Sequence, residues 1–264
     1  MYQTNKKLAL CSYPGNKRRI CEKLLPLIPA HRHYVELFCG AAGLLFNKPR
    51  SRNETLNDID GELTNAFRCM RHHGDAVIKA LHWRVNSRRD FHSARRCSRC
   101  EHSPLTDIQR AANFLYLRAI SFGAEGTSYG VAGTKQGGGG GGGALTSMRH
   151  VTEQLERVQE RLDRVGIENL PWQPCLKLYD HQDAFFFCDP PYLNGRQKAY
   201  QSWSFAQFSE LLDALRNAKG KWMITINDSP EVRRACAGLR LLKVSHPRGI
   251  ISGKAYTQLC VTEK

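Results

Sequence analysis

The chain has 264 residues, enough for one large domain or for one domain that carries a smaller insertion. Its 39 lysines and arginines against 24 aspartates and glutamates give a formal net charge of +15, which favours a polyanionic partner such as nucleic acid over a surface charged only for solubility. No apolar run approaches the roughly 18 residues of a membrane-spanning helix and no signal-peptide core is present, so we expect the ten cysteines to be reduced thiols of a cytoplasmic protein.

Strands and helices alternate in the first 70 residues, as they do at the start of a parallel, doubly wound α/β sheet. After a polar lead and a turn at residues 13–17, the pattern predicts a helix at 18–28, a strand at 34–38, a small-residue turn at 39–44 that leads into a helix, a strand at 55–57 and a helix at 61–70.

The alternation stops between residues 71 and 165. Ten basic residues stand against four acidic ones from Arg71 to Arg118, and no strand-like run occurs there. A helix capped by Asp107 and a helix at about 148–165 are predicted. They flank a glycine-rich loop at about 123–146, which we expect to be a flexible connector. This stretch is therefore predicted to be a basic, mainly helical insertion.

The last hundred residues restore the alternation. They predict strands at 184–188, 221–226, 239–245 and 255–262, a helix at 205–218 and a short helix that begins at Pro230. The fold class that follows is α/β, a Rossmann-like doubly wound sheet.

A carboxylate, two prolines and an aromatic ring follow the apolar strand at 184–188. Ligands of open α/β sheets bind at the carboxyl ends of the strands. The prolines make the turn of Asp189, Pro190, Pro191 and Tyr192 rigid. An Asp acceptor, a fixed carbonyl and a flat ring suit a planar heterocycle with an exocyclic amine, and the alternative is a plain strand-ending turn.

The turn from Phe38 to Gly43 and the acid Asp58 indicate a nucleoside cofactor. Small residues let the backbone approach a ligand, and the N-terminus of a following helix favours electronegative groups. An acid about 20 residues further on is placed to accept hydrogen bonds from ribose hydroxyls. Close helix–strand packing for the turn, and a helix N-cap for Asp58 or Asp60, are the alternatives.

Motifs in the same order resemble those of the Dam-type adenine-N6 DNA methyltransferases that use S-adenosylmethionine, particularly the versions found in phages and prophages. The matching segments are 13–17, 34–43, 56–60, 114–118 with 121–130, 189–192, 226–230 and 258–261. The resemblance covers nearly the whole chain. It implies a catalytic, cofactor-binding domain at residues 1–70 and 166–264 and a DNA-recognition insertion at 71–165.

The resemblance also implies a mechanism on double-stranded DNA. The target adenine is flipped into the pocket, Asp189 and the Pro190 carbonyl accept the two hydrogens of its amine, and Tyr192 stacks on the base. S-adenosylmethionine becomes S-adenosylhomocysteine, with no metal, no covalent intermediate and no obligatory protein partner. The residues expected to hold the cofactor are Tyr13, Pro14, Gly15, Lys17, Glu36, Phe38, Gly40, Ala41, Gly43, Asp58, Asp60, Trp172 and Asp189.

The expected DNA contacts come from the basic segment and from the recognition motif. They are Arg84, Arg88, Arg89, Arg95, Arg96, Arg118, Ser121 and Tyr129. A solvated charged face is the alternative for the arginines. Cys97 and Cys100 form a Cys-x-x-Cys pair with histidines nearby, but ordinary reduced cysteines are favoured over a zinc site because no second ligand pair exists.

The chain departs from the family pattern at three places. Ala41 and Ala42 stand where many members have glycine or serine, and Leu170-Pro-Trp172 stands where an Asp-Phe is common. The segment from Phe122 to Ala124 lacks the Asn-Gly of the enzymes that read GATC, so that target sequence is not carried over. Cytosine-N4 methylation and a DNA-binding relative without catalysis remain as alternative functions.

Overall fold

A computed structural model of the protein describes residues 7–98, 104–130, 146–193, 203–247 and 255–263. Seven strands of these residues form one sheet: β1 His33–Glu36, β2 Asn53–Asn57, β3 Val165–Glu168, β4 Ala184–Cys188, β5 Lys221–Asn227, β6 Arg240–Pro247 and β7 Ala255–Thr262. Their order is β3-β2-β1-β4-β5-β7-β6, and β7 alone runs in the direction opposite to the other six strands. The predicted α/β, Rossmann-like sheet is confirmed.

The described helices are α1 Cys21–Leu24, α2 Gly61–His82, α3 Arg88–Ser98, α4 Asp107–Ile120, α5 Met148–Arg161, α6 Trp172–Tyr179, α7 Phe205–Arg216 and α8 Pro230–Ala235. Short 3-10 turns lie at Lys17–Arg19, Leu25–Leu27, Leu45–Asn47 and Phe122–Ala124. None of these helices is long and apolar enough to cross a membrane.

Both faces of the sheet are covered, and β4 makes this visible. Phe185 and Phe187 pack into the core that includes residues of α2, α4 and α5, whereas Ala184, Phe186 and Cys188 pack into the core with α6 and α7. Successive strand residues point to opposite faces, so a strand buried on both sides is apolar at every position. Each buried phenylalanine contributes roughly 1.5–3 kcal/mol. The apolar run of β4 therefore predicts a central strand, and burial of the same side chains on both faces stabilises the strand in that position.

The predicted strands are confirmed to within two residues at each end, and the bounds of β4 match. The single helix predicted at 18–28 is wrong, because it is divided into two 3-10 turns and the four-residue α1. Pro26 lacks the amide hydrogen that a continuing helix needs. The helix predicted after residue 44 is also wrong. Only the turn Leu45–Asn47 forms, and Lys48 is extended before Pro49.

Three further boundaries differ. Thr106 rather than Asp107 is the N-cap of α4, since its hydroxyl accepts from the Gln109 amide. The helix predicted at 148–165 ends at Arg161, and Arg164 has a φ of +64°, which no helix continues. Val165 instead begins β3 at an edge of the sheet. Neither the bounds of this strand nor helix α6 was predicted from the sequence.

The helices of residues 71–165 pack on one another and on the sheet domain. Helix α2 runs beyond the predicted end at residue 70 to His82, with a non-helical residue at His73, and contacts both α4 and α5. Helix α3 packs on α4. The division into a catalytic domain and an insertion stays a prediction, and α2 belongs to both sides of the proposed boundary.

Candidate active site

The carboxyl ends of β1, β2 and β4 open into a cleft of about 600 Å³. It lies where the strand order reverses, since β2 is on one side of β1 and β4 is on the other. The residues predicted to hold the cofactor and the target base all line this cleft: Tyr13, Pro14, Gly15, Lys17, Glu36, Phe38, Gly40, Ala41, Gly43, Asp58, Asp60, Trp172, Asp189, Pro190, Pro191 and Tyr192. The fold therefore brings the sequence-predicted set together, and the individual roles stay predictions.

Asp189 follows β4 and is held at both carboxylate oxygens. Its Oδ1 accepts from the Thr225 hydroxyl at 2.8 Å, and its Oδ2 accepts from the Lys17 ammonium. Burial raises the pKa of Asp189, and the attraction of Lys17 opposes that rise. The direction of the carboxylate is therefore fixed, and its pKa is higher than that of an ordinary aspartate.

Tyr192 is fixed through its hydroxyl. The hydroxyl donates to Oε1 of Gln258 and accepts from Lys17 Nζ at 3.2 Å. The same ammonium donates to the Gly15 carbonyl at 2.8 Å and lies 5.4 Å from the centre of the Tyr192 ring. Lys17, expected to bind the cofactor, therefore links the two residues expected to hold the base, and only 5% of its surface is exposed.

The turn between β1 and the 3-10 turn at residue 45 has the close approach that the sequence predicts. Gly40 has a φ of +48°, and a β-carbon on Gly43 would lie 2.0 Å from Oδ1 of Asn16. Ala42 also adopts a left-handed conformation, with a φ of +52°. Only the 3-10 turn Leu45–Asn47 follows, so this turn does not lead into the α-helix N-terminus that was predicted for it.

Asp58 closes the turn from the neighbouring strand. Its carboxylate accepts from the amides of Gly40, at 2.9 Å, and Asp60, at 3.1 Å. Burial raises the pKa of Asp58 to about 6, although these hydrogen bonds oppose the rise. Asp60 is the N-cap of α2, which confirms the N-cap alternative for this residue, and it also lines the cleft. Ile59 between them is 68% exposed and offers an apolar surface that was not predicted from the sequence.

Glu36 ends β1 with 1% of its surface exposed. Its Oε1 accepts from the Tyr34 hydroxyl at 2.7 Å and from the Leu45 amide at 2.9 Å. Burial raises the pKa of Glu36 to about 7, against the effect of these two donors. The glutamate can therefore change its charge inside the cleft near neutral pH.

Asn57 ties three parts of the cleft wall together and was missed. Its side-chain amide donates to the carbonyls of Leu37, at 3.0 Å, and Leu170, at 3.1 Å, and its oxygen accepts from the Leu170 amide at 3.0 Å. This fixes the segment that leads into Trp172, which stands at the start of α6 with 9% of its surface exposed. The aromatic ring expected near the cofactor is thus held in the wall.

Trp203 and Gln207 also line the cleft without having been predicted. Trp203 meets Phe38 edge to face, with ring centres 5.2 Å apart. The available signal was an aromatic residue just before the capped helix α7. Thr225 had a clearer signal, because it is a polar residue between the buried apolar Ile224 and Ile226, and such a residue needs a partner. Gln258 precedes the buried apolar run Leu259, Cys260 and Val261.

The predicted DNA contacts divide into exposed and inward-facing groups. Arg88, Arg89 and Arg96 on α3 are exposed, and Arg95 is half-buried. Arg84 is also half-buried, donating to Oδ1 of Asn113 and lying over the Tyr116 ring.

The recognition motif contributes mostly buried groups. The Arg118 guanidinium lies 4.5 Å from the centre of the Tyr13 ring and 4.9 Å from that of Phe114, and it donates to the Ala124 carbonyl at 2.9 Å. Ser121 is fully buried and accepts from the Gly126 amide. Tyr129 is half-buried and donates to the Asn86 carbonyl at 3.2 Å. Their burial does not favour direct DNA contact by Arg118 and Ser121, which hold the loop instead, and that part of the expectation stays a prediction.

The possible zinc site at Cys97 and Cys100 lies partly outside the described residues. Cys97 is half-buried, while Cys100 and most of the glycine-rich loop lie outside the described residues. Within the described ranges, histidine, cysteine and acidic side chains form no group that could hold a metal ion.

Comparison with known proteins finds a family model and a relative that are both methyltransferases. The family model for the D12 class of N6 adenine-specific DNA methyltransferases matches residues 13–250. The chain is also similar to the Type II methyltransferase M1.LlaDCHI of Lactococcus lactis subsp. cremoris. The two are 26% identical over 232 residues, which cover 82% of this chain and 80% of the relative.

Proposed function

The chain belongs to the D12 class of N6 adenine-specific DNA methyltransferases, and we propose that it transfers a methyl group from S-adenosylmethionine to the N6 amine of an adenine flipped out of double-stranded DNA. The observation that carries this proposal is the position of Asp189 and Tyr192. Both are fixed at the carboxyl end of β4, in the same cleft as the glycine turn and Asp58.

The cleft suits a nucleoside cofactor with a positive charge. Its volume of about 600 Å³ is in the range of small-molecule sites. Four carboxylate side chains line it, those of Glu36, Asp58, Asp60 and Asp189, while Lys17 is the one basic side chain among the described lining residues. Asp58 is placed for ribose hydroxyls, and the exposed side chain of Ile59 for an adenine ring. S-adenosylmethionine supplies a methyl group on a positively charged sulfur, which is reactive enough for the protein to contribute mainly orientation and charge.

Asp189 has the properties of the group that receives the amine. Its carboxylate accepts a hydrogen bond from N6 and takes the proton that the amine loses on methylation. A raised pKa brings it nearer to the working pH of a general base, and Lys17 keeps the ionised form accessible. Tyr192 supplies the flat face on which the base stacks, and the rigid Pro190–Pro191 turn holds both residues at a constant distance.

The DNA contacts follow from the distribution of charge. A base inside a duplex cannot reach this cleft, so the nucleotide is turned out of the stack. The exposed arginines of α3, Arg88, Arg89 and Arg96, are the described groups best placed to bind phosphates without regard to sequence. Because the relative in Lactococcus is a Type II methyltransferase, we propose that this chain also methylates a defined site and acts in restriction-modification.

The two alternatives have less support. Cytosine N4 is an amine of the same kind and would fit the Asp189–Tyr192 pocket, but the family model is specific for adenine N6. A DNA-binding protein without catalysis would be suggested by Ala41, Ala42 and the Leu170–Trp172 segment. The turn nevertheless keeps its tight conformation with alanine at both positions, and Trp172 still lines the cleft.

The test is a transfer assay. The protein is incubated with methyl-labelled S-adenosylmethionine and duplex DNA, and the DNA is digested to nucleosides. We expect N6-methyladenine. Labelled N4-methylcytosine would contradict the adenine assignment, and DNA binding without any transfer would support the inactive alternative.

A further inference from the structure

Five side chains form one continuous series of hydrogen bonds through the active site. Gln258 accepts from the Tyr192 hydroxyl, Lys17 donates to Tyr192 and Asp189, and Thr225 donates to Asp189. Three members line the cleft, whereas Gln258 and Thr225, at the two ends, do not. The end members therefore touch the residues that hold the base without reaching the base themselves.

The sheet places the two end members on neighbouring strands, diagonally across the β5–β7 pair. Thr225 is on β5 opposite Cys260 of β7, and Asn227 is opposite Gln258. Since residues two apart in a strand point to the same face, Thr225 and Gln258 face the same side of the sheet. Their exposed fractions are 0% and 1%. They are inside the protein, behind the base-holding residues.

A polar side chain in such a position has an energetic cost unless it is hydrogen-bonded. A buried amide or hydroxyl without a partner destabilises by roughly 1–3 kcal/mol. The hydrogen-bond partners of Gln258 and Thr225 are Tyr192 and Asp189, the groups proposed to bind adenine. A hydrogen bond to any other buried polar group would satisfy these two side chains equally well, so their bonds to Tyr192 and Asp189 favour a role in orienting those residues.

We propose that Gln258 and Thr225 are positioning residues for methyl transfer. Gln258 holds the Tyr192 ring at the angle at which its face meets the flipped base, and Thr225 directs Oδ1 of Asp189. This inference rests on the proposed function, because it concerns the same pocket. The hydrogen bond between Gln258 and Tyr192 contributes most to this orientation. The Tyr192 hydroxyl donates to Gln258 and accepts from Lys17, and these two bonds together restrict the ring.

The decisive experiment is a double-mutant cycle. Gln258→Met keeps the length of the side chain and removes the carbonyl oxygen, and Tyr192→Phe keeps the ring and removes the hydroxyl. We expect Gln258→Met to lower kcat on the order of tenfold, the effect of one well-oriented hydrogen bond, and Tyr192→Phe to lower it at least as much because it also loses the bond from Lys17, with little change in KM for DNA or in cofactor affinity. Because both variants break the same bond, the double variant should be no slower than the slower single variant.

Two controls separate orientation from stability. Gln159→Met changes a half-buried glutamine of α5 that packs against Gly74, and we expect an unchanged kcat. Thr225→Val has nearly the same shape as threonine and should lower kcat. Thr152→Val, at a buried threonine whose hydroxyl donates within α5, should not. An unchanged kcat in Gln258→Met, or losses that multiply in the double variant, would overturn the proposal.

The failure of this inference can be told apart from failure of the proposed function. If the wild-type protein transfers no methyl group, the proposed function fails. The Gln258–Tyr192 bond can still be measured then, as a coupling in the free energies of unfolding of the same four proteins. Coupling in stability without coupling in kcat would show a structural bond only and would refute the positioning role.

Discussion

The buried carboxyl of Glu36 gives a prediction whose size follows from the structure. Its pKa in the folded protein is about 7, against an ordinary value of 4.5, because burial disfavours the charged form. Between these two pH values the folded protein holds a proton that the unfolded chain releases. The free energy of unfolding must therefore fall as the pH rises through this window.

The variant Glu36→Gln removes the ionisation and keeps the shape. A glutamine oxygen can still accept from the Tyr34 hydroxyl and the Leu45 amide, since both donate to the same oxygen of Glu36. The difference between 4.5 and about 7, at 1.36 kcal/mol for each pKa unit, is about 3 kcal/mol. We expect wild type and variant to be equally stable near pH 4 and the variant to be more stable by about that amount at pH 8.

The measurement is urea unfolding of both proteins across this pH range. Glu54→Gln is the matched control with the opposite sign. Burial alone would raise the pKa of Glu54, but hydrogen bonds from Arg161 and Lys48 outweigh it and lower the pKa. That variant should be less stable than wild type at neutral pH, and the difference should fade as the pH falls below the ordinary value of 4.5. A Glu36→Gln variant whose stability keeps the pH dependence of the wild type would refute the reasoning.

Three further outcomes are expected. Asp189→Ala should abolish methyl transfer and leave cofactor binding nearly intact, as measured by calorimetry, so near-normal turnover would contradict the proposed pocket. Gly43→Ala should weaken cofactor binding, because its new β-carbon meets a neighbouring side chain at 2.0 Å, whereas Gly61→Ala, whose β-carbon would have only an ordinary 3.5 Å contact, should bind normally. DNA affinity should fall steeply with salt, and Arg89→Gln should reduce the slope of log affinity against log salt by about one. Arg234→Gln, on the exposed surface of α8, should leave that slope unchanged.

Local patterns along the chain determined the sheet and the residues of the cleft. The uninterrupted apolar run of β4 and the prolines that end it made the strand predictable, because burial on both faces leaves no other composition. Since parallel strands present their carboxyl ends at one edge, Asp58 and Asp189 could be expected in one cleft before any coordinates were known. The helix errors arose where proline chemistry and a left-handed residue at Arg164 outweighed apolar spacing.

Contacts between distant segments were decided only by the tertiary structure. Lys17 is 172 residues from Asp189 in the chain, and Tyr192 is 66 residues from Gln258. Such pairs depend on strand register and on loop paths, which no local pattern encodes. Burial of a charged group is equally a property of the whole fold: the Arg118 guanidinium lies over the Tyr13 ring and donates to the Ala124 carbonyl, contacts that the sequence did not predict. The sequence by itself thus determined most of the residues that meet at the cleft, and the tertiary structure added Ile59, Trp203 and Gln207 and decided which side chains hold one another.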